Sequence, residues 1–127
     1  MEKNGKKLLI IDDEEMIREP LVESFEFEGF EVGSANDGEE GLVKAIEMNP
    51  DLILVDLTMP KMDGLTMINK LRENEVGKNI PVIIFTNTSD VEKINKAIES
   101  GANEFLIKAD WKLADIVKKV KTKLGVE

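Results

Sequence analysis

The stretch Leu52-Ile53-Leu54-Val55-Asp56 sets four consecutive apolar residues directly before a carboxylate. A continuous apolar run of this length suits a strand covered on both faces, as in a parallel sheet. The same design recurs on either side. Leu8-Leu9-Ile10-Ile11 is stopped by Asp12-Asp13, Val82-Ile83-Ile84-Phe85 runs into Thr86, and Phe105-Leu106-Ile107 runs into Lys108. A fifth segment, Phe30-Glu31-Val32-Gly33-Ser34, is shorter and alternating, as expected near a sheet edge.

Helical periods fill the intervals. Ile17, Leu21 and Phe25 recur at four-residue spacing, Leu42, Ala45 and Ile46 follow the same logic, and Leu65, Ile68 and Leu71 space by three. Val91, Ile94 and Ile98, then Leu113, Val117, Val120 and Leu124, complete the set. Each stripe is read as core packing. Gly29, Gly77, Gly101 and Asn49-Pro50 stand where helices should end, while Asn36-Asp37 and Ser89-Asp90 offer N-cap oxygens. Pro20 falls inside the first helical pattern and should kink it. Strand and helix alternate five times. The economical solution is one five-stranded parallel sheet with helices on both faces, because parallel strands need right-handed crossovers.

Composition narrows the chemistry. The 127 residues carry no Cys and no His. Disulfides, thiolate sites, a Ser-His-Asp triad, His-ligated zinc and a phosphohistidine carrier are thereby excluded within this chain. The net charge is −9, and it is uneven: residues 108–127 hold six Lys against three acids. The acidic body repels a polyanion, so no direct nucleic-acid binding is expected. The basic tail suits either an acidic partner or a solvated helix face. No apolar run approaches the ~20 residues of a membrane span and no signal peptide opens the chain, so a cytoplasmic protein without membrane insertion is expected. The length fits one domain over residues 1–127, with any output domain on another molecule.

Parallel sheets bind ligands beyond the carboxyl ends of their strands. Those ends hold Asp12 and Asp13, Asp56, Thr86 and Lys108. Taken singly, Asp12-Asp13 also fits an N-cap, Asp56 a turn start, Thr86 a strand end and Lys108 a surface charge. Together they crowd carboxylates at one edge, which a cation must relieve. Lys108 supplies one positive charge and a hard divalent ion would supply two more. Oxygen donors without His or Cys select Mg²⁺, with Mn²⁺ as the alternative. Mg²⁺ with one or two carboxylates suggests phosphoryl chemistry, in which an aspartate can be the nucleophile.

Four pieces now stand in order: Leu8 to Glu14, Asp51 to Gly64, Pro81 to Thr86, and Gly101 to Lys108. In them the chain resembles the receiver domain of bacterial two-component response regulators over essentially its full length, and in size the stand-alone receivers of the chemotaxis type. The resemblance implies a flavodoxin-like (βα)5 fold with strand order 2-1-3-4-5. It implies Asp56 as phosphoacceptor, Asp13 with Asp12 as the metal pair, and the Thr58 backbone carbonyl as a further metal ligand. Thr86 and Lys108 would each hold a phosphoryl oxygen, and Phe105 occupies the switch-aromatic position. The implied donor is a phosphohistidine on a sensor histidine kinase or a phosphotransfer protein. The output face is formed by residues 90–100, 104–107 and 111–124, which would engage a downstream effector and could pair as a phosphorylation-dependent homodimer. Such a receiver is a signalling switch with at most slow autophosphatase activity, not a metabolic enzyme. Two positions depart from the family pattern. Asn87 stands where a small residue usually follows the Thr, and Ala109 stands where Pro usually follows the Lys. A large residue at 87 would narrow access to Asp56 or hydrogen-bond the phosphoryl group. The Lys108–Ala109 bond is expected either trans in a reshaped loop or cis under strain. These departures motivate an alternative reading, a receiver-fold interaction module independent of phosphorylation. A flavin carrier on the same fold ranks behind both, because the acidic first loop repels phosphate.

Overall fold

The structure, a computed structural model, describes residues 3–127. Five strands alternate with five helices: β1 (Lys7–Ile11), α1 (Glu15–Phe27), β2 (Glu31–Ala35), α2 (Gly38–Met48), β3 (Leu52–Val55), α3 (Gly64–Glu73), β4 (Val82–Thr86), α4 (Val91–Glu99), β5 (Glu104–Ile107) and α5 (Leu113–Lys123). All strand pairs are parallel and the order is β2-β1-β3-β4-β5, as the resemblance implies.

The apolar runs divide by the period of two that a strand imposes. Leu9, Ile11, Ile53, Val55, Val82 and Ile84 face one way and pack with Ala45 of α2, Met67, Ile68 and Leu71 of α3, and Ile94 and Ala97 of α4. Leu8, Ile10, Leu52, Leu54, Ile83 and Phe85 face the other way and pack with Leu21 and Phe25 of α1 and Ile116 and Val120 of α5. Two cores therefore sit back to back, and burial of each Leu or Ile stabilises the fold by about 1.5–3 kcal/mol.

Helix boundaries follow short polar signals. Asp37, Asp63 and Asp90 each accept a hydrogen bond from a backbone N–H three residues on, capping α2, α3 and α4. Asn49 closes α2 in a left-handed conformation, φ 48°, just before Pro50. α3 ends earlier than Gly77 suggests, at Glu73, and Gly77 lies in the following turn. α1 continues through Pro20, so the missing donor does not end the helix.

Two expectations need correction. The stripes on α4 and α5 are only partly core: Ile94 is buried, but Val91 is 66% exposed, and Ile98 and Leu113 are each 39% exposed. Phe105 on β5 is 44% exposed, because β5 is an edge strand and its outer positions lack a covering layer. The basic tail is also partly neutralised from within. Lys121 pairs with Glu28 at 2.5 Å, and Lys119 and Lys123 reach Glu104 at 2.5 and 3.6 Å. Among the described residues no helix is long and apolar enough to cross a membrane.

Gly64 fixes how closely α3 approaches the end of β3. A Cβ at Gly64 would lie 2.3 Å from the Asp56 carbonyl oxygen and 2.8 Å from Leu57 Cα, both backbone atoms. Alanine improves helix propensity by at most about 1 kcal/mol, whereas a clash against fixed backbone costs about 1–3 kcal/mol. Gly64→Ala is therefore expected to lower stability in urea denaturation, and parent-like stability would show that the loop yields freely.

Candidate functional site

The carboxyl edge of the sheet is built by extending the ladders past the apolar runs. The Asp12 N–H donates to Ala35 O at 3.0 Å, and the Asp56 N–H donates to Ile11 O at 3.1 Å. Both aspartates thus leave the sheet in strand-like register. Both are buried, at 2% and 5% exposure. One carboxylate oxygen from each of Asp12, Asp13 and Asp56 falls in a group spanning no more than 4.8 Å, with Asp13 the exposed member.

Lys108 enters the same space from the end of β5. Its Nζ donates to Asp12 Oδ2 at 2.7 Å, Asp56 Oδ2 at 2.8 Å and Glu14 Oε1 at 3.2 Å. The Lys108 side chain is only 4% exposed. Thr86, at the end of β4, is likewise buried. Its Oγ1 accepts the Thr88 N–H at 3.3 Å. Thr58 meets the site through its backbone, where its N–H donates to Asp56 Oδ1 at 3.2 Å. Asp56 therefore has both carboxylate oxygens oriented, one by Thr58 and one by Lys108. Phe105 stands apart from this pocket, exposed on β5.

The N-cap reading of Asp12-Asp13 is not what the structure adopts. Glu14 occupies the N-cap of α1, and Asp12 Oδ1 instead accepts the Glu14 N–H at 2.9 Å. Two contributors escape the sequence reading. Glu14 is a third carboxylate on Lys108, and the Arg18 guanidinium holds the Asp12 backbone carbonyl at 2.8 Å. Neither contact has a periodic signal in the sequence, since Glu14 meets a lysine 94 positions away and Arg18 meets a main-chain carbonyl.

Burial pushes the Asp12 carboxyl above its usual range, and this outweighs the hydrogen bonds from Lys108 and the Glu14 N–H. Burial pulls Lys108 the other way. Its hydrogen bonds to Asp12 and Asp56 and their charges more than reverse that, so the ammonium titrates above its ordinary value. Lys108 therefore stays charged across the physiological range. The donor set around it is all oxygen, with no His or Cys in the chain, and fits a hard divalent cation such as Mg²⁺ beside the three aspartates.

The two departures from the family pattern meet each other. The Lys108–Ala109 peptide is trans, and Lys108–Asp110 form a 3₁₀ turn. The Ala109 N–H donates to Asn87 Oδ1 at 3.0 Å.

Residues 8–121 match the family described as response regulator receiver domain. The chain is 36% identical over 102 residues to the DNA-binding dual master transcriptional regulator RpaA of Synechocystis sp., covering 80% of this chain and 42% of that protein. It is 34% identical over 121 residues to the transcriptional regulatory protein PrrA of Mycobacterium leprae, covering 95% of this chain and 51% of that protein. The chain thus spans about half the length of these curated relatives. Among solved structures, a CheY-like response regulator receiver domain protein from Methanospirillum hungatei superposes with a TM-score of 0.86 at 29% identity, covering 94% of each chain. A chain of the CheX-CheY-BeF3-Mg²⁺ complex from Borrelia burgdorferi does so with 0.81 at 30% identity, covering 94% of this chain and 89% of that one.

Removing the Lys108 ammonium leaves Asp12 and Asp56 buried without a counter-charge. Lys108→Met is expected to lower stability at neutral pH by about 3 kcal/mol without divalent metal. In that variant Asp12, already held above its usual range by burial, loses the Lys108 hydrogen bond and charge that lower it, so the folded state takes up a proton there before the unfolded chain does as pH falls. The deficit should shrink on acidification from pH 7 to 5. Urea denaturation at both pH values checks this, and a deficit that grows on acidification contradicts it.

Proposed function

The chain belongs to the response regulator receiver family, and from that membership we infer that it is a phosphoacceptor switch of two-component signalling. The observation that carries this reading is Lys108 Nζ within 2.8 Å of both Asp12 and Asp56, beside Asp13, at one sheet edge. Asp56 is the nucleophile. Its carboxylate oxygen forms a bond to the phosphorus of a phosphohistidine on a sensor histidine kinase or phosphotransfer protein. The P–N bond breaks, and its electron pair returns to the imidazole. Asp12, Asp13, Asp56 and the Thr58 carbonyl would hold Mg²⁺, which supplies positive charge against the phosphoryl oxygens. Lys108 exchanges its hold on the free Asp56 carboxylate for a phosphoryl oxygen, and the Thr86 hydroxyl turns to another.

The phosphoryl group adds close to two negative charges and three acceptor oxygens. The switch travels through a short polar relay. Thr86 Oγ1 accepts from the Thr88 N–H, Thr88 Oγ1 accepts from the Asp90 N–H, and Asp90 caps α4 on Lys93. Turning Thr86 towards the phosphoryl group loosens this relay and frees space that Phe105, now exposed, can enter. The exposed Val91, Ile98 and Phe105 lie within the face of residues 90–100, 104–107 and 111–124 that recruits the effector or a second copy. Hydrolysis of the acyl phosphate is slow, so the chain is a switch rather than an enzyme, and it works in the cytoplasm beside its kinase. The curated relatives are transcriptional regulators, but the acidic surface here disfavours direct contact with nucleic acid.

The phosphorylation-independent reading draws on Asn87 and Ala109. Their mutual hydrogen bond leaves the acidic trio and Lys108 together, which favours the working switch.

Acetyl phosphate with Mg²⁺ should label the parent protein at Asp56, and neither Asp56→Ala nor chelated protein should be labelled. Asp13→Ala should label at least tenfold more slowly. Equal labelling of Asp56→Ala overturns the assignment. Failure of beryllofluoride with Mg²⁺ to alter Trp111 fluorescence or any amide resonance favours the phosphorylation-independent reading.

A further inference from the structure

Asn87 and Ala109 each follow a residue that would hold a phosphoryl oxygen: Asn87 follows Thr86, and Ala109 follows Lys108. Both are exposed, so burial alone does not explain their contact. The contact is specific in its chemistry. Asn87 presents a side-chain carbonyl oxygen, and Ala109 presents a backbone N–H that a proline at this position would lack. The two positions therefore answer one another, with an acceptor on one loop and a donor on the other, 3.0 Å apart.

Among the described residues no other hydrogen bond joins the loop that follows β4 to the turn that follows β5. β4 and β5 pair up to Thr86 and Ile107, and beyond that register the strands end. Lys108 then turns into the 3₁₀ segment while Thr86 passes into the loop before α4. The Asn87 carbonyl fastens the first residue of one loop to the turn that aims Lys108. On the reading of this site as a phosphoacceptor switch, we propose that Asn87 is a positioning residue: its hydrogen bond to the Ala109 amide makes the Thr86 and Lys108 loops move as one unit when the phosphoryl group arrives. With Oδ1 engaged by the Ala109 amide, the Asn87 side chain acts on the site through the loop it holds.

The test separates the acceptor from the bulk of the side chain. Asn87→Leu keeps nearly the same shape without an acceptor, Asn87→Ala removes both, and Asn87→Asp keeps the acceptor. In protein without metal or anion, hydrogen exchange of the Ala109 amide should quicken several-fold in Asn87→Leu and Asn87→Ala and stay slow in Asn87→Asp. Beryllofluoride with Mg²⁺, followed by Trp111 fluorescence, should bind the Leu and Ala variants about three- to tenfold more weakly than the parent, in keeping with the loss of one neutral hydrogen bond. Unchanged Ala109 exchange in the Leu variant overturns the proposal. So does Leu binding beryllofluoride like the parent while Ala differs, since bulk would then be the cause. If the parent itself fails to bind beryllofluoride, the phosphoacceptor reading falls, and the exchange measurement still decides whether Asn87 holds the turn.

Discussion

One ammonium group organises the functional edge of this protein. Asp12 and Asp56 are nearly removed from water, and Glu14 leans in from the start of α1. Buried carboxylates this close repel, and burial makes that repulsion harder to screen. Lys108 answers all three from the end of β5. The arrangement is stable and also reactive. The oxygen that Lys108 holds on Asp56 belongs to the nucleophile, so the contact that steadies the resting site is the one that chemistry must exchange.

The sheet makes that meeting possible. Parallel strands send all their carboxyl ends to one side, and the order β2-β1-β3-β4-β5 places β1 beside β3 and β4 beside β5. Asp12 and Asp56 thereby become neighbours across a ladder although 44 positions separate them. Arg18 and the Thr58 N–H then trim the local geometry with single hydrogen bonds. Large forces set the edge, and small ones aim the side chains on it.

Much of this was legible in the residues. The four continuous apolar runs and the alternating edge segment mark the five strands, since their periods differ from those of the helices. The residues that end those runs mark the site. The strand order needed the family resemblance, because periodicity fixes which segments are strands but not which ones pair. Burial was less legible. Val91 and Ile98 share a helical stripe with buried Ile94, yet α4 sits towards an edge where the sheet no longer covers its whole apolar side. Phe105 is exposed for a related reason on the edge strand. The partnership of Asn87 with Ala109 was invisible, because each looked like an isolated departure until the fold brought a side-chain carbonyl to a main-chain amide.

The division into two cores has a consequence for how the chain is made. The layer holding α2, α3 and α4 is complete once synthesis has passed Ala102. The opposite layer needs Ile116 and Val120, which are translated after every buried residue of the first layer. A nascent chain stalled before α5 therefore shows Leu54, Ile83 and Phe85 with only α1 to shield them. That half-clothed sheet persists until α5 has emerged and packed.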